Sequence, residues 1–242
     1  MTAPPAVGIA TSLGGRPANA DHATYHRRPN GTTAVALADF IGSEPDAVEG
    51  AHVAAEFAAR IGARHNAMEG VNAAAAAFRD TDLEFPTPDG VIVMAVARPG
   101  EPNVIAHLGD CAGYAFDGTE LTPLTTAQTK AQRLLHEGHA DDDKIRRTHH
   151  VPITSLARAA PTTISLAETF AQVIVLLSDG VHGACPHQQL ADIVRAHAED
   201  AQACAQALVD AARKNRPNGD NATAAVLIHP EPLIVNEKRL GR

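Results

Sequence analysis

Tryptophan is missing from this 242-residue chain, aromatic residues make up only 3% of it, and its apolar runs are all short. A membrane-spanning helix needs roughly 18 or more consecutive apolar residues. No such run occurs, so no membrane partner is expected. The opening MTAPPAVGIA lacks a basic segment followed by a long apolar one, which argues against a secretory leader and for a cytoplasmic location. Cysteine is scarce too. Cys111, Cys185 and Cys204 form no CxxC spacing, which excludes a disulfide framework and a thiolate zinc site. Cys111 beside Asp110 is not followed by the Cys-x5-Arg pattern of a phosphate loop, so it reads as a small buried hydrophobe. Basic residues are the minority charge, with a formal net charge of -8. The clusters His26-Arg27-Arg28 and Lys144-Ile145-Arg146-Arg147 are too short for the basic stripe that displaces counterions from nucleic acid.

What is present is aliphatic. Hydrophobic residues reach 45%, enough for one domain spanning 1–242 with a core of Val, Ile and Leu and helices rich in Ala. Residues 6–13 and 33–41 read as strands and are expected to pair with each other. From Ala47 to about Asp80, helical spacing predicts two helices, with Gly62 and Gly70 as the weak points between them. Residues 90–124 hold three or four compact β runs joined by PGEPN and DG turns, an antiparallel meander. A short Thr-capped helix is expected in 125–139, followed by a charged surface excursion without clear period. QVIVLLSDG is a buried strand, two helical segments follow it, and GDNATAAVLIHP supplies a turn and a last strand. The tail, 231–242, is expected to be peripheral. Strands in groups and helices in pairs predict an α+β layered fold rather than alternating βαβ units.

Aspartates recur where apolar β runs stop or start: Asp39 after TAVALA, Asp110 after NVIAHLG, Asp179 after QVIVLLS, and Asp220 before NATAAVLI. One such residue is an ordinary turn former. Several brought together would repel unless cations sat between them, and carboxylate oxygens suit Mg²⁺ or Mn²⁺ better than zinc.

In order, GGRPANAD (14–21), ADFIG (38–42), HLGDCAGY (107–114), LLSDGV (176–181) and GDNAT (219–223) resemble the motifs of the metal-dependent protein phosphatases of type 2C. The resemblance runs over about residues 7–228, with 125–160 similar to the family's flap. It implies a four-layer α-β-β-α sandwich of two antiparallel β-sheets flanked by helix pairs. It also implies hydrolysis of phosphoserine and phosphothreonine in proteins by direct attack of a hydroxide bridging two Mg²⁺ or Mn²⁺ ions. On that resemblance Asp39 bridges the two metals, the Phe40 carbonyl is a ligand, Asp179 and Asp220 complete one ion, and Asp21 holds metal-bound water. Arg16 grips the phosphate, and Asp110 joins Asp179 around a weaker third ion. A monomer is expected.

Some positions depart from the family pattern. Phe40 stands where the family has Gly, a bulky residue that resists a positive φ and would crowd the site. Ile41 stands where some members have a general-acid histidine, Ala20 replaces an acid, Cys111-Ala112 replaces Ser-Arg, and Ala127-Gln128-Thr129 replaces Asp-His-Ser. Two alternatives follow: a catalytically weak phosphoprotein-binding relative, or a hydrolase of small phosphate esters. Of the histidines, His136, His139, His149 and His150 fit a polar flap, and His182 is the one placed to reach the site.

Overall fold

The computed structural model describes residues 3–79, 88–138, 141–149, 151–231 and 233. Two five-stranded antiparallel sheets form its centre. The first takes the order β1 (Ala6–Ser12), β10 (Ala222–Ile228), β9 (Val173–Leu177), β6 (Ala112–Phe116), β7 (Leu121–Pro123). The second takes the order β2 (Asp21–Arg27), β3 (Thr33–Phe40), β4 (Gly90–Ala97), β5 (Asn103–Leu108), β8 (Ser165–Thr169). Helices α1 (Pro45–Arg64) and α2 (Ala67–Phe78) cover the second sheet, and α6 (His187–Ala196) and α7 (Ala201–Asn215) cover the first. The four-layer sandwich expected from the resemblance is what the chain adopts.

The central strands are buried on both faces, so they read as continuous apolar runs rather than alternating ones. In β3 and β4, Val35, Leu37, Val91 and Val93 point between the sheets, where they meet Ile174, Leu176, Ala225 and Leu227. Their neighbours Ala34, Ala36, Ala38, Phe40, Ile92 and Met94 face α1 and α2. Period-two geometry thus divides each strand between two cores.

Several expectations are corrected. β1 pairs with β10, Ala6 opposite Ile228, and not with residues 33–41; β3 lies between β2 and β4 in the other sheet. Sequence neighbours are hairpin partners only when a short turn joins them, and here β2 intervenes. That strand, DHATYHR, is a polar edge strand without the apolar alternation that marks β structure. β8, SLAET, is likewise an edge strand that lacks a run of apolar residues. The meander is split: β4 and β5 belong to one sheet and β6 and β7 to the other. The crossover turns at Gly109, whose φ of +96° is the left-handed region that favours glycine.

The helix break falls at His65-Asn66, where the Asn66 side chain accepts from Glu69 N at 2.9 Å and caps α2. Gly62 and Gly70 lie inside helices. A Cβ at either would press on the Met94 side chain, at 2.3 and 2.6 Å. They are glycines because Met94 needs the space. The charged excursion contains two short helices, α3 (Lys130–His136), capped by Thr129, and α4 (Asp142–Thr148), capped by Asp141. His139, His150 and nearly all of 231–242 lie outside the described residues.

Phe40 does not crowd the cleft. Among the described residues no non-glycine residue has a positive φ. The Phe40 ring turns into the core, 3% exposed and edge-on to Phe78 at 5.0 Å. Gly50 and Gly90 make room for it: a Cβ at either position would stand 2.5 or 2.3 Å from the ring. Phe40→Ala is expected to destabilise the fold by about 3–5 kcal/mol in urea unfolding, as for other buried Phe truncations. A cost near zero would mean the ring is not a core element.

Candidate active site

Five aspartates reach one end of the sandwich from both sheets. Asp21 opens β2 and is the register partner of Asp39 near the end of β3. Asp110 follows the Gly109 crossover. Asp179 begins the short helix α5 (Asp179–His182) directly after β9, and Asp220 sits in the turn before β10.

Local hydrogen bonds explain the short motifs that contain them. Ser178 and Thr223 tie β9 to β10, Ser178 N donating to Thr223 O at 3.0 Å and Thr223 N donating to Ser178 Oγ at 2.9 Å. A Cβ at Gly180 would stand 1.8 Å from the Asn221 carbonyl oxygen, so only glycine fits there. The Asn221 amide reaches the loop before β2: its Nδ2 donates to Leu13 O (2.8 Å) and Ala18 O (3.1 Å), and its Oδ1 accepts from Ala20 N (2.9 Å). One side chain therefore sets the path of the loop that carries Arg16 and leads into Asp21. Gly15 N donates to Gly219 O at 2.9 Å, and Arg213 Nη2 donates to the Asp220 carbonyl. Arg213 and the Asn221 bridge were not foreseen, and no spacing marks an Arg on a helix as a loop clamp. His182, the histidine singled out from the sequence, donates from Nε2 to Asp110 O at 3.0 Å.

The electrostatics follow from the convergence of like charges. Asp21 is buried, its Oδ2 has no hydrogen-bond partner, and its pKa is pushed up to about 7. Desolvation is the main cause and the charges of Asp179 and Asp220 add to it, against partial relief from the Ser178 and Thr223 hydroxyls. Asp39 is held well above the usual carboxylate range by desolvation, then by Asp21, Asp179, Asp110 and Asp220. Asp110 is raised to about 6 by desolvation and Asp179. Asp179 is raised by desolvation and Asp220, with His182 and Arg16 opposing. Each of these four carboxylates feels at least one of the others, and the charge of Asp220 acts on Asp21, Asp39 and Asp179, so the acids share one field. Arg16 is the cation at its edge, its Nη2 donating to Asp220 Oδ2 at 2.5 Å in a half-exposed pair.

The chemistry of the donor set fits hard divalent cations: it is made of carboxylate oxygens, one of them buried and unpartnered. Among the described residues no three His, Cys, Asp or Glu side chains are already drawn into a metal-sized cage. Asp220 is turned to Arg16, and Asp21 toward the Ser178 and Thr223 hydroxyls.

A raised carboxylate pKa is a stability penalty with a definite sign. The unfolded Asp21 ionises near pH 4, the folded one only near 7, so stability falls as pH rises through that window. In chelator at pH 7.5, Asp21→Asn is expected to raise unfolding stability by on the order of 2–4 kcal/mol, a gain that shrinks toward zero near pH 4. Urea titrations at the two pH values decide it; a loss of stability at pH 7.5 would contradict the electrostatic reading.

Comparison with known proteins agrees with this geometry. The sequence profile of the family described as Protein phosphatase 2C matches residues 142–221, a span that includes Asp179 and Asp220 but not Asp21, Asp39 or Asp110. Among curated proteins, none is significantly similar in sequence. Solved structures similar in fold include the serine/threonine phosphatase of S. agalactiae, at 16% identity and a TM-score of 0.80, over 93% of this chain and 99% of that one. Serine/threonine phosphatase Stp1 from Staphylococcus aureus is similar at 14% identity and a TM-score of 0.77, over 94% and 97%. The catalytic domain of the serine threonine protein phosphatase PstP, in complex with two manganese ions, is similar at 20% identity and a TM-score of 0.70, over 93% and 97%. The chain therefore has the fold of the protein phosphatase 2C family, and its residues 142–221 carry that family's sequence signature.

Proposed function

We propose that this chain is a metal-dependent protein serine/threonine phosphatase. The observation that carries the proposal is the convergence of five aspartates from two sheets, four of them desolvated, with Asp21 Oδ2 buried and unpartnered among them. Such an arrangement is costly unless cations neutralise it. The fold relatives are serine/threonine phosphatases, one of them with two manganese ions, which favours phosphoprotein substrates and Mg²⁺ or Mn²⁺.

In this reading Asp39, Asp179, Asp220 and the Phe40 carbonyl hold two ions, Asp21 acts through water, and Asp110 serves a third, weaker one with Asp179. Bound there, the ions supply a water activated at neutral pH and neutralise charge on the phosphoryl oxygens. The rest falls to the protein. Arg16, on the loop pinned by Asn221 and Gly219, presents a half-exposed guanidinium whose two-pronged donors match a phosphate. Ile41 lies 64% exposed at the rim and has no proton to give, so protonation of the leaving alkoxide falls to solvent in the cleft. Of the three departures behind the catalytically weak alternative, Phe40, Ala20 and the altered flap, the first has its ring accommodated by Gly50 and Gly90.

The pure protein is expected to release phosphate from para-nitrophenyl phosphate and from a phosphothreonine peptide with Mn²⁺ or Mg²⁺ and not with chelator. Asp39→Asn should abolish metal-dependent turnover, and unchanged turnover would remove Asp39 from the site. Arg16→Ala should lower kcat/KM roughly 10–100-fold, the scale of a charge-assisted contact. Release from the small ester but never from phosphopeptides would point to small phosphate esters instead.

A further inference from the structure

Gln128 stands at the neck of the flap with every polar atom of its side chain engaged. Its Oε1 accepts from Gly109 N at 2.8 Å and from the Thr154 hydroxyl. Its Nε2 donates to Thr163 O at 2.8 Å and to Ser165 Oγ at 3.0 Å. The amide orientation is unambiguous, because Gly109 N–H can only donate and Thr163 C=O can only accept. Its main chain adds two more bonds, Gln128 N to Gly109 O and Ile153 N to Gln128 O, both 2.8 Å. One residue thus joins the crossover turn, the returning end of the flap at 153–154, the 3₁₀ turn Pro161–Thr163, and the edge strand β8.

The crossover turn is the one that aims Asp110. On one side Gly109, at φ +96°, lies against Val91, where a Cβ would meet Cγ1 at 2.1 Å. On the other side the Asp110 carbonyl accepts from His182. Both main-chain polar groups of Gly109 belong to Gln128. The direction of Asp110 and the attitude of the flap therefore share one set of hydrogen bonds.

We propose that Gln128 is a positioning residue that latches the flap neck to the Asp110 turn, so that cation binding in the aspartate cluster and docking of the flap neck reinforce each other. The latch stands on the hydrogen bonds alone; the coupling to a cation rests on the metal-dependent reading above. Linkage requires reciprocity: a cation that steadies the Asp110 turn must steady the flap by the same factor that the latched flap tightens the cation.

The test is trypsin cleavage at the exposed Arg146 and Arg147 of α4, in chelator and in Mn²⁺, with Mn²⁺ binding measured separately by calorimetry. In chelator, Gln128→Ala is expected to be cut roughly tenfold faster than the unsubstituted protein, the scale of losing several internal hydrogen bonds. Mn²⁺ should slow cleavage of the unsubstituted protein and leave Gln128→Ala unaffected. Gln128→His, with one acceptor and one donor, should recover part of the protection. Equal cleavage rates in chelator overturn the latch. Mn²⁺ binding with equal protection in both proteins overturns the coupling. No Mn²⁺ binding at all overturns the metal reading and the coupling with it, while the chelator comparison still decides the latch. Should Gln128→Ala not fold, Thr154→Val and Ser165→Ala each remove one bond, and unchanged cleavage in both sinks the proposal.

Discussion

Mutual repulsion among five carboxylates is the constraint around which this fold is arranged. Each acid sits where a strand ends or a turn begins, and the two sheets bring those ends to one rim. Left to itself such a rim would splay. What prevents it is a scaffold of neutral contacts just behind the acids: the Ser178–Thr223 exchange, the three bonds of Asn221, and the backbone-to-backbone approach of Gly180. These are polar groups fully satisfied in a low-dielectric setting, where they hold geometry more firmly than in water. Part of the stability contributed by the sandwich interior is spent in keeping like charges together, as expected where a site is strained for its task.

The scaffold also explains why each acid travels with particular companions. The glycine after Asp179 is set by the Asn221 backbone, and the asparagine after Asp220 by the loop before β2. The motif fragments are thus halves of contacts made across the rim. A chain that kept the aspartates and lost Gly180 or Asn221 would keep the charges without their arrangement.

Much of this was legible. The strand ends marked by Asp39, Asp110, Asp179 and Asp220 are visible because β3, β5, β9 and β10 are buried and therefore mostly apolar. What was not legible lies where polar and apolar patterns fail to report burial. β2 and β8 are edge strands whose residues resemble loop. The partner of β1 is more than two hundred residues away, and no local pattern names it. Gly62 and Gly70 look like helix breakers because a sequence shows the missing side chain and not the Met94 that fills the gap. Phe40 looked like an obstruction for the same reason, its accommodation depending on Gly50 and Gly90. Arg213 acts through a main-chain partner and Gln128 partly through main-chain partners, which carry no sequence identity.

The face between α1, α2 and the second sheet is made largely of alanine, with Ala34, Ala36 and Ala38 on the strand side and Ala51, Ala54, Ala55, Ala58, Ala74 and Ala75 on the helix side. Contacts built from methyl groups carry almost no rotamer entropy and let helix and sheet approach closely. They also have nothing left to remove. At a leucine-rich interface drift can proceed by trimming as well as by enlarging. Here nearly every change adds volume, against neighbours already in contact. This half of the molecule is therefore open to variation in only one direction, and its history should read as long conservation of smallness, with the freedom to diverge left to the valine- and leucine-lined half beneath α6 and α7.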